Sequence, residues 1–326
     1  MEYAVIQENF VSLNSCWADL QHDIRRKLIF TVPVWLEIWW QTFGAGADLC
    51  LLTVKCDERI IGIAPLMMRE AIASFIGSSD VCDYLDFIVA PEMERDFFET
   101  LLQYLKQKHI RCLDLKSLRP DSTVLRNLVS AAENMGHTVV SNQEDVSVTL
   151  DLPETWGKYL AMLNAKQRHE VKRKLNRLSE AGNIDYYSVT DKMVINNHMD
   201  TFLKMFSESS KDKAAFLTPR MESFFRSMAN AMSDIRLLRL GVLQLDTVPV
   251  AMAICFDYDG CLYLYNSSYN PQYASLSVGL LCKVLCIKTG IEERKKNFDF
   301  LKGGEAYKYR LGGREFPIYN CQIAIV

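Results

Sequence analysis

The sequence predicts an α/β protein in which two copies of one unit, each a mixed sheet with helices, follow one another along the chain. Its 326 residues exceed the usual size of a single core, so two domains of about 150 residues are expected. An internal echo supports that division. DLCLLTVKCDERIIGIAPLMM (48–68) has the layout of IRLLRLGVLQLDTVPVAMAICF (235–256). In both, an apolar strand meets a turn at an Asp, Asp57 or Asp246, and a second strand comes next with small residues inside it. Each stretch reads as a hairpin.

The order of the elements downstream of each hairpin is the third observation. YLDFIVAP (84–91) parallels YLYNSSYNP (263–271), each an extended segment that stops at a proline. A helix comes next in both. The first is expected over Glu94 to Lys108, apolar at Phe97, Phe98, Leu101, Leu102 and Leu105, and the second from about Ser275 to Lys288. Short strands end the echo at 111–115 and 297–301. Corresponding points lie about 180 to 190 residues apart. The units are therefore set at 1–145 and 146–326, with the boundary near Asn142 to Leu152.

In the second copy Asp259-Gly260 favours a tight hairpin turn between Ala251–Tyr258 and Cys261–Tyr265, giving an antiparallel meander. The next helix then serves as crossover to a parallel strand, Phe298 to Leu301. Ser275, Ser277 and Gly279 open that helix at the sheet edge, where free N–H groups and the helix dipole favour an anion. A serine that merely caps the helix is the competing reading.

Bulk properties exclude several classes. A net charge of −3 gives no global pull toward nucleic acid or anionic lipid, so any phosphate site is local. The ten cysteines are scattered through apolar segments without Cys-x-x-Cys spacing, which reads as reduced core residues in a cytoplasmic protein. Cys282 and Cys286 lie one helical turn apart, yet no neighbouring His or second pair supports a metal site, and none is expected. The N-terminus lacks a basic segment followed by an apolar one, and Pro33 and Glu37 interrupt the longest apolar stretch. Neither secretion nor a membrane span is indicated.

The order of elements resembles the GNAT acyltransferase unit, in which acyl-CoA lies between two splayed strands with its pyrophosphate on the following helix. The usual phosphate signature of that family, Gln/Arg-x-x-Gly-x-Gly/Ala, is represented here only by Gln272 and Ser275-x-Ser277-x-Gly279. A narrower resemblance rests on WGKYLAMLNAKQRHEVKRKLNRLSEAG (156–182), FLKMFSESSKDKAAFLTPRMESFF (202–225), PVAMAICFDYDGCLYLYNSSYNP (249–271), SLSVG (275–279) and FDFLKGGEAYKYRLGG (298–313). Together these look like the FemAB-related CelD/BcsL-type acetyltransferases, with PVWLEIWWQTFG (33–44) as weaker support. The resemblance implies two tandem GNAT-like units, acetyl-CoA or another acyl-CoA as donor, and a role in polysaccharide or cell-envelope metabolism.

Acyl transfer needs donors for the carbonyl oxygen, a base for the nucleophile and a proton for the departing thiolate. Gly-x-Ser-x-Gly is absent and no cysteine has an evident His partner, so direct transfer is favoured over a covalent intermediate. In FDFLKGGEAYKYRLGG, Lys302, Glu305 and Lys308 flank two glycines at a strand end. The resemblance assigns Lys308 to the transfer centre, on the developing oxyanion or a donor phosphate, with a solvated surface lysine as the alternative. Asp299 and Glu305 are the acidic candidates for the base. Asp299 is expected to be partly buried, with ion pairing to Lys302 or Arg310 as its competing role. Tyr265 is a candidate to protonate the thiolate, and Tyr269 flanks the same strand end.

A single helix is expected from Trp156 to Ala181, apolar at Trp156, Leu160, Leu163, Val171, Leu175 and Leu178. Its other side carries Lys166, Arg168, Lys172, Arg173, Lys174 and Arg177. This is either a solvated face or a seat for an anionic acceptor or CoA phosphate, with Arg168 and Lys172 as the substrate-binding candidates. Trp39, Trp40 and Phe43 read as core, with an acceptor pocket as the alternative.

The leading reading is thus an acyl-CoA-dependent acyltransferase acting on an amine or hydroxyl of a small or nucleotide-linked sugar or envelope precursor. Its rivals are an aminoacyl-tRNA-dependent enzyme of FemAB type and a degenerate, non-catalytic GNAT scaffold. No DNA partner is expected. The first unit has Glu92 and Glu94 where the second has its serines, so it is expected to bind no donor and to serve as structure and acceptor wall.

Overall fold

Turn residues set the hairpins. Asp57, Asp246, Thr247, Asp259 and Gly260 all take positive φ, from 49° to 76°, which closes short links between twisted strands. The structure, a computed structural model, describes residues 2–22, 24 and 27–326. Two compact units result, Met1–Val146 with Phe316–Val326, and Ser147–Glu315.

The first unit contains β1 (Tyr3–Gln7), α1 (Phe10–Leu20), α2 (Pro33–Phe43), β2 (Asp48–Cys56), β3 (Arg59–Arg69), β4 (Ile72–Phe75), β5 (Ile88–Val89), α3 (Glu94–Gln107), β6 (Cys112–Leu118) and α4 (Val129–Asn134). The expected β2–β3 hairpin forms, and α3 buries the five residues read as its apolar face. Trp39 is core at 2% exposure, its ring 5.6 Å from that of Phe43.

The echo itself needs one correction. The counterpart of the strand at 263–271 is β4, not 84–91, because β4 runs antiparallel to β3 and parallel to β6. The segment 84–91 contributes only β5, a two-residue pairing to β3. Four residues, Ile72 to Phe75, carry too short a pattern to be read as a strand.

Asp86 in that segment holds the chain by its carboxylate. One oxygen accepts from the Phe87 N–H at 2.9 Å and the Thr123 hydroxyl at 2.6 Å, the other from the Thr123 N–H at 2.8 Å. Burial nevertheless raises its pKa to about 6, against hydrogen bonds that pull it down. The folded state then holds this proton more tightly than the unfolded chain, whose Asp titrates near pH 3.9. Stability contributed by Asp86 is therefore full below about pH 4 and lost as pH rises toward 6. Urea unfolding at pH 4 and pH 7 should show this loss in the native protein and a smaller one in Asp86→Asn; equal pH dependence would refute it.

Strand β7 (Thr138–Asp151) leads into the second unit. Beyond it come α5 (Trp156–Met162), α6 (Ala165–Glu180), β8 (Ile184–Val189), α7 (Lys192–Ser209), α8 (Lys211–Phe216), α9 (Pro219–Asp234), β9 (Leu238–Leu245), β10 (Val248–Tyr258), β11 (Cys261–Tyr269), α10 (Val278–Glu292), β12 (Asn297–Lys302) and α11 (Ala306–Arg310). The last strand, β13 (Arg314–Ala324), pairs through residues 319–324 with β6 and so completes the first unit's sheet.

Within the second unit the strand order is β7-β12-β11-β10-β9-β8. Strands β9 to β11 form the expected antiparallel meander, β8, which was not expected, extends it by pairing antiparallel with β9, and β12 runs parallel to β11. Ala251, Ala253 and Cys255 share a core with α5, α6 and α10. On the other face, Phe256 meets Tyr265, which in turn meets Phe225 of α9.

The helix expected over 156–181 is two helices. Leu163 is extended and buried, and Asn164 starts α6 through a capping box with Gln167. Likewise α10 begins at Val278 rather than Ser275. A 3₁₀ turn over Pro271–Leu276 precedes it, and Ser277 between them is left-handed at φ 59°.

Candidate active site

The second unit contains a gap between neighbouring parallel strands. β11 and β12 pair only at Cys261–Asn297, Leu262–Phe298 and Tyr263–Asp299, after which they diverge. Both strands show why. On β11, Tyr265 is an extra residue in the ladder with β10, a bulge that bends the strand. On β12, Leu301 is left-handed at φ 62° and Gly303 comes soon after at φ 103°, so the strand curls at its end.

Two predicted site residues hold that curl. Asp299, 4% exposed, accepts the Leu301 N–H at 2.8 Å. Lys308 is buried at 1% exposure, and its ammonium donates to the carbonyls of Leu301, Lys302 and Gly303 at 2.9, 2.7 and 2.9 Å. Three carbonyls of successive residues converge on one nitrogen because Leu301 is left-handed. The ammonium is thus not a solvated surface group. Glu305, more than half exposed, reaches the same nitrogen at 2.9 Å. Lys302, at the end of β12, lies half-buried beside it.

At the other side of the gap lies the mouth of α10. No side chain caps this helix, so neither Ser275 nor Ser277 is spent as an N-cap. The Asn270 side chain instead takes the Gln272 N–H at 3.0 Å and starts the preceding turn. Gln272 and Ser275 are exposed, Ser277 is half-buried and Gly279 is buried. A Cβ on Gly279 would stand 2.9 Å from the Tyr269 ring, so glycine lets α10 close on β11. The Tyr269 hydroxyl donates to the Ser209 carbonyl at 3.4 Å. Tyr265 has its ring 5.1 Å from Phe256 and 6.2 Å from Phe225, within the aromatic layer under α9.

The basic helix divides its charges. Arg173 and Lys174 pair with Glu170, while Arg168 donates to the Leu160 and Leu163 carbonyls and ties α5 to α6. Lys166, Lys172 and Arg177 are exposed.

Two lysines at the gap are absent from the sequence-based candidates. Lys283 of α10 donates to the Gly279 carbonyl at 3.0 Å and stands 5.0 Å over the ring of Tyr307. Burial raises the Tyr307 pKa, and the charge of Glu305 adds to the rise. Lys213 of α8 donates to the Ser267 carbonyl of β11 at 2.5 Å. A lone lysine inside LLCKVLC is the available signal for Lys283; no pattern within 202–225 singles out Lys213.

In the first unit, a cavity of about 320 Å³ beside the first turn of α3 is lined by Asp86, Glu94 and Asp121 as well as Arg126. Its acidic balance does not suit a pyrophosphate. Among the described residues, no cluster of His, Cys, Asp and Glu is arranged to hold a metal, and no helix is long and apolar enough to cross a membrane. Cys282 and Cys286 face the core, the latter accepting from the Tyr186 hydroxyl at 3.3 Å.

Residues 165–309 match the acetyltransferase (GNAT) domain. No curated protein sequence matches the chain. Among solved structures, FemX is similar with a TM-score of 0.68 at 11% identity, over 98% of this chain and 97% of that one. The C-terminal domain of a protein described as a lysylphosphatidylglycerol synthetase from Agrobacterium fabrum gives 0.61 at 12% identity, over 97% and 92%. A tandem GNAT protein of the clavulanic acid biosynthesis pathway gives 0.52 at 11%, over 99% and 98%. At such identities the likeness shows the fold, which is that of two tandem GNAT-like units.

Proposed function

We propose that the second unit is a direct acyltransferase that takes an acyl group, acetyl in the simplest case, from acyl-CoA to an amine or hydroxyl. The acceptor in this proposal is a cell-envelope or polysaccharide precursor met in the cytoplasm, as CelD/BcsL-type enzymes would require. The observation that carries it is the divergence of β11 from β12 beside the uncapped mouth of α10. Donor phosphates would meet the N–H groups of Val278 and Gly279 beside Ser277, with Gln272 and Ser275 at the rim. Glu305 is the exposed carboxylate available as base, and Lys308 and Asp299 keep the β12 turn in place for it. Tyr265 remains the proposed thiolate proton donor only through a rotation away from Phe256. Arg168, Lys172, Tyr269 and Lys302 are proposed to surround the acceptor, and the first unit to bind no donor.

Acetyl-CoA should raise the melting temperature in proportion to occupancy. Ser277→Glu, which places a carboxylate at the helix mouth, should abolish that shift. Ser277→Gly should keep it and stabilise the protein by about 1 kcal/mol, since glycine tolerates the left-handed geometry. Absence of any shift with the native protein would reject the CoA reading. A second reading, an aminoacyl-tRNA donor, is favoured by the exposed Lys166, Lys172 and Arg177 on α6. It requires RNA binding that weakens steeply with salt.

A further inference from the structure

Lys213 and Lys283 enter the gap from opposite elements, α8 and α10, and neither is accounted for by the fold. Lys213 Nζ is bonded to the Ser267 carbonyl on the diverged half of β11 and lies 4.7 Å over the Phe206 ring. Lys283 Nζ reaches back one helical turn to the Gly279 carbonyl at the mouth of α10. Among the described residues neither has a carboxylate within ion-pairing distance. Carbonyl dipoles and ring faces solvate an ammonium in part, yet an unpaired charge withdrawn from water is costly, and two of like sign cost more. Burial and, after it, the Lys283 ammonium lower the pKa of Lys213 to about 8, against a smaller upward pull from Glu305. Lys283 is also lowered, by burial.

The acid whose charge reaches both lysines, Glu305, is already engaged at 2.9 Å by Lys308. Positive charge therefore exceeds negative charge at the floor of the gap, and the positive end of α10 adds to it. An oxyanion between the two ammonium groups would pair both and remove their repulsion. We infer that Lys213 and Lys283 together seat a carboxylate or phosphate of the substrate on the diverged half of β11. This rests on the gap being the substrate site, and it sets the substrate class: a molecule with an oxyanion close to the group that is acylated or that donates the acyl chain.

The seat predicts its own pH dependence. The charged groups facing Lys213 are Lys283 on α10 and Glu305 before α11, with Lys308 behind Glu305; Tyr307 faces Lys283. The change expected near pH 8 is the loss of the Lys213 proton. An anion that binds the protonated lysine must bind less tightly as pH rises through that value.

Thermal unfolding at constant ionic strength tests this with malonate and pyrophosphate as probes and chloride as control. Stabilisation is expected at pH 7, should fade by pH 9, and should be at least tenfold weaker in apparent affinity in Lys213→Met and in Lys283→Met. Lys213→Arg, which keeps its charge, should retain the stabilisation at pH 9. Response to malonate alone assigns a carboxylate, and to pyrophosphate alone a phosphate. Ser277→Glu separates this seat from the donor site: it should lose the acetyl-CoA shift and keep the malonate shift. No shift with either probe, or a shift unchanged in both methionine variants, overturns the inference even if acetyl-CoA still binds.

Discussion

Lys308→Met should lower the melting temperature by roughly 6–12 °C. The substitution removes three charge-assisted hydrogen bonds and leaves the carbonyls of Leu301, Lys302 and Gly303 without their donor. A deficit of about 3 kcal/mol is the scale for orphaned buried groups of this kind. In a unit of this size each kcal/mol shifts the midpoint by about 2–4 °C. Lys308→Arg should not restore it, because a planar fork cannot converge on three successive carbonyls as an ammonium does. Glu305→Gln, by contrast, should leave the midpoint within about 2 °C, since its carboxylate is more than half exposed and such pairs contribute little. Calorimetry of the three variants decides. A Lys308→Met protein as stable as the native one would show that the ammonium is held for the reaction and not for the turn.

Hairpins and α3 were legible because their signals are local. Asp57, Asp246 and Asp259 sit where a positive φ is needed, and the apolar positions of α3 recur at helical spacing. β4 was not legible, since four residues do not establish a period and the parallel partner lies forty residues on. The break in the basic helix had a signal that periodicity overrode: Asn164 and Gln167 are spaced as a capping box, but Leu160, Leu163 and Val171 continue the apolar stripe across it.

The site was legible as a place more than as a mechanism. The strand end at 263–269, the mouth of α10 and the 298–313 segment do meet around one gap, all within the second unit. The direction of each side chain is not written in the sequence. Lys308 turns inward because Leu301 adopts a left-handed conformation that nothing in a leucine announces. Lys213 reaches the gap through Ser267, more than fifty residues away. Tyr265 turns toward Phe225 because it is the extra residue of a bulge, which alternation alone would not reveal.

Asp299 gives the sharpest division between chemistry and positioning. As general base, its loss of charge in Asp299→Asn should cost roughly two to four powers of ten in rate without unfolding the protein. As the acceptor for the Leu301 N–H, its oxygen is what counts, and the amide supplies one. The geometry favours the second role: the same left-handed residue is held from one side by Asp299 and from the other by Lys308. We therefore expect Asp299→Asn to keep turnover within about tenfold of native with an unchanged pH–rate profile. Asp299→Ala leaves a buried N–H without its acceptor and frees the curl of β12, and a shift of about 1 Å at the reacting groups is enough for a hundredfold loss of rate. Its melting temperature should fall with the rate. Turnover of both variants across pH, read beside their thermal midpoints, checks this. A rate collapse in Asp299→Asn at native stability would return the carboxylate to the role of base and leave Glu305 as a partner of Lys308 alone.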